Sequence, residues 1–316
     1  MEKKYVVGID VGGQSVKLGV IDRDANIVAR GRFDMSVYGY DDTDRFLEDL
    51  CENVRILTAE IGLDSIQGIG IGAPNGNYYD GTVVNAANLP WAKGKVVPVR
   101  QYLSDHLGLA VTMTNDANAA AIGEMIYGNA KGMKNFIEIT LGTGVGSGIV
   151  TDGRVLYGHD GFAGELGHTI AVRGGRQCGC GRKGCLETYA SSRGVIMTAK
   201  EMLEASDEPS LLRDIPDFSS KDVFDAAVKG DKIAIDVFNF TGKILGQQFA
   251  DFVTFSAPEA IILFGGVSNA GDLLLDPVKA SMDESIISLW KGKVKILRSG
   301  LPESDAAILG AGALAW

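Results

Sequence analysis

Two glycine-rich turns, each between a pair of apolar runs, constrain the fold of this chain more than any other feature. The first turn joins Tyr5–Ile9 to Val16–Ile21, and the second joins Asn135–Leu141 to Val145–Val150. Short apolar runs separated by glycines are typical of antiparallel strands in a hairpin. Helical and strand-like segments follow each hairpin, so we predict an α/β chain that contains a duplicated unit.

The pattern of helices and strands divides near residue 115. We predict a small N-terminal α/β domain over 1–115, completed by a C-terminal helix over 303–316, and a large C-terminal α/β domain over 116–302. Residues 72–97 are rich in glycine, asparagine and proline and are expected to form a long loop. Apolar periodicity predicts the remaining elements. The predicted helices cover 44–61, a short segment from Pro98, 116–127, 189–206, 231–256 and a segment after Gly266, and the predicted strands cover 27–33, 66–71, 111–114, 154–156, 260–264 and 294–297.

The balance of charged residues narrows the range of partners. Lys and Arg total 30 and Asp and Glu total 40, which gives a formal net charge of −10. Affinity for nucleic acid depends on clustered cations, so a nucleic-acid partner is not expected. The first apolar run is too short for a secretory signal and no stretch is long enough to span a bilayer. We therefore expect no membrane partner. We also expect a cytoplasmic protein, because the cysteines described next are expected to stay reduced to bind a metal.

Three of the four cysteines form a cluster. Cys178, Cys180 and Cys185 lie within eight residues, and His168 stands ten positions before the first of them. Three thiolates and one imidazole are the ligand set of a closed structural zinc site. A disulfide is the alternative, but it would leave one of the three thiols unpaired, and Cys51 is interpreted as an isolated core residue. We therefore predict that these four residues hold a structural Zn²⁺.

Three glycine turns follow strand-like runs and are candidates for phosphate binding. Backbone N–H groups in such turns can face phosphate oxygens, and a carboxylate at the strand end can lie near a bound Mg²⁺. Taken alone, the first turn is interpreted as an ordinary β-turn. The third could let a flat base or ribose approach the backbone, or could be a helix-capping loop. The second turn is followed by a strand, whereas the dinucleotide-binding fingerprint requires a helix. The candidate residues in the three turns are Asp10, Gly12, Gly13, Gln14, Lys17, Gly142, Thr143, Gly144, Gly265 and Gly266.

The order of motifs along the whole chain resembles that of the ROK family (repressors, open-reading-frame proteins and sugar kinases). The motifs stand in the order Asp10-x-Gly-Gly, Asn115-Asp116, Gly142-Thr-Gly-x-Gly, Gly164-Glu-x-Gly-His168, Cys178-x-Cys-Gly-x-x-Gly-Cys-x-Glu187 and Gly265-Gly266. The resemblance implies the actin-like (ribonuclease H-like) ATPase fold, with two duplicated α/β domains and a cleft between them that binds sugar and ATP. It also implies ATP, Mg²⁺ and structural Zn²⁺ as cofactors, a homodimer, and the ATP-dependent phosphorylation of a hexose by a kinase of the bacterial glucokinase type, with glucose as the leading substrate.

Asp116 is the candidate general base. Phosphoryl transfer to a sugar needs a group that accepts the hydroxyl proton, and Asn115 beside it can hold a neighbouring hydroxyl. An aspartate at the start of a helix is also a favoured N-cap, and its position in the sequence leaves both interpretations open. The resemblance favours catalysis.

Glu165, His168 and Glu187 are the candidate sugar contacts, because carboxylates accept hydrogen bonds from vicinal hydroxyls. The resemblance assigns His168 to the metal and to the sugar. A solvated loop face is the alternative for the two glutamates. Asn88 is expected to add a polar contact to the sugar, and Trp91 is expected to pack against it.

The sequence leaves alternatives open for the identity of the sugar substrate and for the functional class of the protein. Gln14 and Asn75 depart from the family pattern in the phosphate-binding and sugar-binding loops. N-acetylmannosamine or N-acetylglucosamine is therefore an alternative substrate. A sugar-binding transcriptional regulator without its DNA-binding domain is an alternative of another class, although the first strand begins at Tyr5 and the charge is acidic. A glycosidase that uses Glu165 and Glu187 as its acid pair would leave the glycine turns unexplained.

Overall fold

A computed structural model describes residues 3–302 and 305–316 of the chain. The chain forms two compact units. The first unit spans Met1–Met133, Gly148–Gly164 and Ser299–Trp316, and the second spans Lys134–Ser147 and Glu165–Arg298. In the described residues, no helix is both long and apolar enough to cross a membrane.

The strands are β1 (Tyr5–Val11), β2 (Ser15–Asp22), β3 (Ile27–Asp34), β4 (Ile66–Gly72), β5 (Val83–Val84), β6 (Val96–Val97), β7 (Ala110–Thr114), β8 (Phe136–Leu141), β9 (Val145–Thr151), β10 (Arg154–Val155), β11 (Ala260–Phe264) and β12 (Lys295–Arg298). The helices are α1 (Thr43–Thr58), α2 (Val99–Leu107), α3 (Asp116–Ile126), α4 (Glu187–Ala190), α5 (Ser192–Glu204), α6 (Ser220–Val228), α7 (Lys232–Ser256), α8 (Asp272–Ser285) and α9 (Ala306–Ala313). The predicted start of the last helix, Glu303, lies outside the described residues.

The sheet of the first unit has the strand order β3-β2-β1-β4-β7. The hairpin strands β1, β2 and β3 pair antiparallel, while β4 pairs parallel to both β1 and β7. The register places Asp10 opposite Gly72, and Gly72 opposite Thr114. Because parallel strands end at the same edge of a sheet, the residues that follow β1, β4 and β7 are brought together there.

Helix α9 packs directly on this sheet, at glycines that leave room for its backbone. A Cβ atom on Gly70 would lie 1.8 Å from the Ala311 carbonyl oxygen, and one on Gly8 would lie 2.1 Å from that of Ile308. Helix α3 packs on α9 in turn, where Gly123 faces Gly310. This packing explains why α3 belongs to the first unit. That unit extends to residue 133 and also takes in 148–164, whereas we had predicted a boundary near residue 115.

The opposite face of the sheet carries an apolar core with α1 and α2. Trp91 is fully buried there and stacks on Phe46, with ring centroids 4.0 Å apart. Its Nε1 atom lies 3.2 Å from the sulfur of Met35. The expectation that Trp91 packs against a sugar was therefore wrong, because no face of the indole ring reaches the surface.

Residues 72–97 are more ordered than the predicted loop. Strands β5 and β6 pair antiparallel, and a 3₁₀ turn covers Pro90–Ala92. Two-residue strands show no periodicity in the sequence, so only the tertiary structure reveals them.

The second sheet has the order β10-β9-β8-β11-β12. When the strands of each sheet are numbered in the order in which they occur along the chain, both sheets have the order 3-2-1-4-5. The predicted duplication is therefore confirmed. Strands β8 and β11 are parallel, and their register places Thr140 opposite Phe264. The glycines that follow these two strands consequently emerge at one edge of the sheet.

Long helices complete the second unit. The predicted 231–256 helix is α7, which packs along α8 so closely that a Cβ atom on Gly246 would lie 2.5 Å from the Val278 carbonyl oxygen. The predicted 189–206 helix is interrupted at Ser191, whose side chain accepts a hydrogen bond from Gly194 N–H and caps α5. Helix α6 was not predicted, although Ser219 and Asp222 form a capping box at its start.

Candidate active site

The turn between β1 and β2 carries the first candidate group. Gly12 N–H donates to the Ser15 carbonyl at 3.1 Å, which closes the turn. Asp10 lies opposite Lys17 in the register, and their charged atoms are 4.0 Å apart. Burial raises the pKa of Asp10 to about 6, Lys17 opposes this change, and the negative charge of Asp116 adds to it. The structure therefore brings Asp10 and Asp116 within electrostatic reach of each other.

Asn115, and not Asp116, is the N-cap of α3. The Asn115 side-chain oxygen accepts a hydrogen bond from Ala117 N–H at 2.9 Å, and Asp116 is the first residue of the helix. The Asp116 Oδ1 atom also accepts from Ala117 N–H at 2.9 Å. Since Asn115 satisfies the capping position, the helix can begin without the Asp116 carboxylate.

The environment of Asp116 makes it a stronger base than an ordinary aspartate. Although part of the residue contacts solvent, the protein groups around the carboxylate remove enough of its hydration to raise its pKa, while the hydrogen bond from Ala117 N–H opposes the change. A higher pKa increases the tendency of a carboxylate to take a proton near neutral pH.

Two further loops of the first unit lie next to these residues. Ala73 N–H donates to the Thr114 carbonyl at 3.1 Å, so the loop after β4 lies on the end of β7. Asn75 adopts the left-handed φ of 54°, which asparagine tolerates, and its side chain donates to the Val84 carbonyl at 2.9 Å. Asn88 is exposed. Its backbone carbonyl oxygen lies close to Gly13, since a Cβ atom placed on this glycine would be 3.2 Å from it. Asn88 is therefore adjacent to the first glycine turn.

The other two glycine turns lie together in the second unit. Gly142 N–H donates to the Gly144 carbonyl at 3.0 Å, and Thr143 is exposed between them. Gly265 has a φ of 93°, and a Cβ atom on it would lie 2.7 Å from the carbonyl oxygen of Leu141. Only glycine fits this position, because both the dihedral angle and the space exclude a side chain.

A cavity of about 270 Å³ adjoins Gly266. It has an apolar wall and a few polar groups, which is the usual character of a small-molecule site. Its lining residues are Val195, Ser220, Lys221, Phe224, Phe238, Gly266, Val267, Asn269 and Ala270. Sequence analysis identified only Gly266 among them. Val267, Asn269 and Ala270 follow it in one 3₁₀ turn, and the other residues come from α5, α6 and α7 and form no motif.

The cysteine cluster forms a compact set of donors. The side-chain donor atoms of His168, Cys178, Cys180 and Cys185 all lie within 4.8 Å of one another. The sulfurs of Cys180 and Cys185 are 3.7 Å apart, as are Cys178 Sγ and His168 Nδ1. Tetrahedral ligands about 2.3 Å from a zinc ion lie about 3.8 Å apart. The four cysteines of the described residues are free thiols in this structure, and the spacing of the four donors in the cluster fits a tetrahedral zinc site.

Glu187 lies between this cluster and the second glycine turn. Its Oε2 atom accepts a hydrogen bond from Val145 N–H at 3.1 Å. The same oxygen lies so close to Gly144 that a Cβ atom placed on this glycine would be 2.4 Å from it. Its Oε1 atom is 3.6 Å from Cys178 Sγ. Glu165 is exposed immediately before the 3₁₀ turn that carries His168. The structure thus joins Glu187 to both the cluster and the turn, which the sequence did not predict.

The candidate residues consequently fall into two groups, one in each unit. The first unit holds Asp10, Gly12, Gly13, Gln14, Lys17, Asn88, Asn115 and Asp116. The second unit holds Gly142, Thr143, Gly144, Glu165, His168, Cys178, Cys180, Cys185, Glu187, Gly265 and Gly266.

Comparison with known proteins covers almost the whole chain. The profile of the ROK family matches residues 6–316. A glucokinase of Halalkalibacterium halodurans is 35% identical over 99% of this chain and 95% of its own length, and one of Streptomyces coelicolor is 34% identical over 98% and 96%. A ROK family glucokinase from Streptomyces griseus, solved in complex with glucose and AMPPNP, is 32% identical, with a TM-score of 0.81 and 98% of each chain covered. Because this match runs through every motif described above, the chain belongs to the ROK family.

Proposed function

We propose that this chain is an ATP-dependent hexose kinase that converts glucose to glucose 6-phosphate. The observation that carries the proposal is Asp116, a carboxylate with a raised pKa at the start of a helix that Asn115 caps. Relatives named glucokinases, at 34–35% identity over 98–99% of this chain, support glucose as the substrate.

Asp116 acts as the general base in this proposal. The 6-hydroxyl oxygen of glucose forms a bond to the γ-phosphorus of ATP, and the bond from that phosphorus to the bridging oxygen of ADP breaks. The hydroxyl proton passes to the Asp116 carboxylate. Asn115 uses its side-chain oxygen for the cap, so its amide group is proposed to donate to a neighbouring sugar hydroxyl.

The glycine turns are proposed to bind the phosphates of ATP through their backbone N–H groups. Their residues are Gly12, Gly13, Gln14, Gly142, Thr143, Gly144, Gly265 and Gly266, with Lys17 as a cation. Mg²⁺, when bound, neutralises phosphate charge, and the Asp10 carboxylate offers the oxygen ligand that this ion prefers. With a pKa of about 6, Asp10 is mostly ionised at neutral pH and available for this role.

The cavity beside Gly266 is proposed to take the adenosine part of ATP. Phe224 and Phe238 supply apolar surface for a flat base, and Ser220 and Asn269 supply polar groups. The position of this cavity next to a proposed phosphate-binding turn supports the assignment.

Glu165, His168, Glu187 and Asn88 are proposed to bind sugar hydroxyls. His168, Cys178, Cys180 and Cys185 would hold a structural Zn²⁺, whose contribution is to fix the conformation of the loop that carries His168 and Glu187. Ligation through Nδ1, the nitrogen that faces Cys178, would leave Nε2 of His168 for the sugar. A cluster of reduced thiols suits a reducing compartment, so we further propose the cytoplasm. We also propose a homodimer as the functional assembly, because membership of the ROK family implies one.

The test is a coupled ADP-release assay with ATP, Mg²⁺ and a panel of glucose, mannose, fructose, N-acetylglucosamine and N-acetylmannosamine. We expect glucose to give the highest kcat/KM. Asp116→Asn is expected to lower kcat by about 10²- to 10⁴-fold while the protein stays folded, because Asn115 retains the helix cap. Preference for an amino sugar would replace glucose as the substrate, and near-normal turnover of the Asp116→Asn variant would refute the role of Asp116.

A further inference from the structure

Asn77 joins two loops of the first unit that are far apart in the sequence. It is 5% exposed, and its side-chain amide donates to the Asp160 carbonyl at 2.6 Å. Its side-chain oxygen accepts from Tyr79 N–H at 2.9 Å. Gly161, with a φ of 90°, lies so close that a Cβ atom on it would be 2.6 Å from the same oxygen. Both ends of the Asn77 amide are therefore used to hold the 75–79 loop against the 157–163 loop.

Tyrosines strengthen the contact between these loops. The rings of Tyr78 and Tyr157 are stacked, with centroids 4.0 Å apart and planes 6° from parallel. The Tyr79 hydroxyl donates to the Gly158 carbonyl at 2.7 Å. Stacking and two hydrogen bonds to backbone carbonyls thus anchor the 157–163 loop at three consecutive residues of the 75–79 loop.

The anchored loop has little conformational preference of its own. Gly158, Gly161 and Gly164 all adopt positive φ angles, of 72°, 90° and 97°. Glycines have more accessible conformations than other residues, so a segment with three of them depends on outside contacts to hold one conformation. Glu165, a proposed sugar contact, follows directly after the last of these glycines.

The same anchor is close to the proposed general base. A Cβ atom on Gly76 would lie 2.5 Å from the Thr114 carbonyl oxygen, and Asp116 is two residues further along the chain. The 75–79 loop therefore rests on the strand end that carries Asp116, and it fixes the start of the segment that leads to Glu165.

We propose that Asn77 is a positioning residue that sets hexose specificity by fixing the segment that carries Glu165. This inference rests on the proposed hexose kinase activity. It explains why the buried Asn77 amide is directed at a backbone carbonyl 83 residues away, and not at a neighbour in its own loop. The ligand class concerned is a hexose whose hydroxyl pattern Glu165 distinguishes.

The experiment compares Asn77→Asp, Glu165→Gln and the double variant in the wild-type assay. Asn77→Asp keeps the acceptor for Tyr79 N–H but loses the donor to the Asp160 carbonyl. We expect about a tenfold rise in the KM for glucose, a lower ratio of kcat/KM for glucose over mannose, and a KM for ATP within about twofold of the wild type. The double variant is expected to be no worse than Glu165→Gln alone, because Asn77 acts through Glu165.

A matched control and a second variant keep the test decisive. Asn53→Ala removes another side-chain amide bond to a backbone carbonyl, the 2.8 Å bond to Asp49 within α1, and is expected to leave the sugar preference unchanged. If Asn77→Asp does not fold, Tyr79→Phe removes the bond to the Gly158 carbonyl from an exposed side chain and should change the KM for glucose in the same direction, by about threefold.

Multiplying effects in the double variant, or an equal rise in the KM for ATP, would overturn the positioning role of Asn77. Wild-type kinetics in Asn77→Asp would overturn it as well. Failure of the proposed function has a different signature, since the wild-type protein itself would then turn over no hexose, and both proposals would fall.

Discussion

Asp10→Asn should make the ligand-free protein more stable while it removes activity. Burial raises the pKa of the Asp10 carboxyl from 3.8 to about 6, and it outweighs the attraction of Lys17 because the net change is upward. A pKa rise of this size means that ionisation of the Asp10 carboxyl lowers the free energy of unfolding by about 3 kcal/mol. Asparagine keeps the shape of the side chain and removes the charge.

The pH dependence of this effect has a definite sign. The pKa of Asp10 is higher in the folded than in the unfolded protein, so the cost is absent below about pH 4 and complete above about pH 6. The variant should therefore gain stability relative to the wild type as the pH rises through this window. Lys17 loses its partner in the variant, but a pair 4.0 Å apart with Lys17 39% exposed contributes about 1 kcal/mol or less, which is too little to reverse the result.

The assay is urea unfolding of both proteins at several pH values, in buffer without Mg²⁺ or nucleotide. We expect a difference in unfolding free energy that grows by about 3 kcal/mol between about pH 4 and about pH 7 in favour of the variant. Hexose kinase turnover of the variant should fall sharply, because the proposed Mg²⁺ ligand is gone. A difference that does not change with pH, or a variant that is less stable throughout, would refute the reasoning.

Two further predictions concern the nucleotide cavity and the metal cluster. Phe224→Ala should raise the KM for ATP by about tenfold with little change in the KM for glucose. The control variant Phe255→Ala alters a side chain that is 86% exposed and should change neither KM. An unchanged KM for ATP in Phe224→Ala would place adenosine elsewhere. Purified protein should contain about one zinc ion per chain, and Cys180→Ser should lower both the zinc content and the melting temperature. Metal analysis and thermal unfolding measure these changes, and wild-type zinc content in the variant would contradict the assigned ligand set.

The fold could be predicted from the sequence to the extent that it depends on local patterns. The hairpin strands, the long helix α7 and the alanine-rich helix α3 are visible as apolar runs and periodicity. The zinc ligands could be proposed because three of them lie within eight residues, so that chain connectivity alone keeps them close.

The extent of the units could not be predicted in this way. Residues 116–133 belong to the first unit because α3 packs on α9, a helix almost two hundred residues later in the sequence. The pattern of α3 shows that it is a helix, but not which partner covers its apolar surface. Similarly, the sequence shows that Trp91 is aromatic, and only the packing against Phe46 shows that it belongs to the core.

The sequence alone therefore determined most of the helices and strands, the presence of a duplicated unit and the residues able to do chemistry, since these depend on neighbours along the chain. The tertiary structure decided how they are used: that Asn115 is the cap and leaves Asp116 available, that Glu187 joins the cluster to a glycine turn, and that Asn77 reaches Asp160. Such pairings depend on which distant segments pack together, and burial by those segments is also what raises the pKa of Asp10.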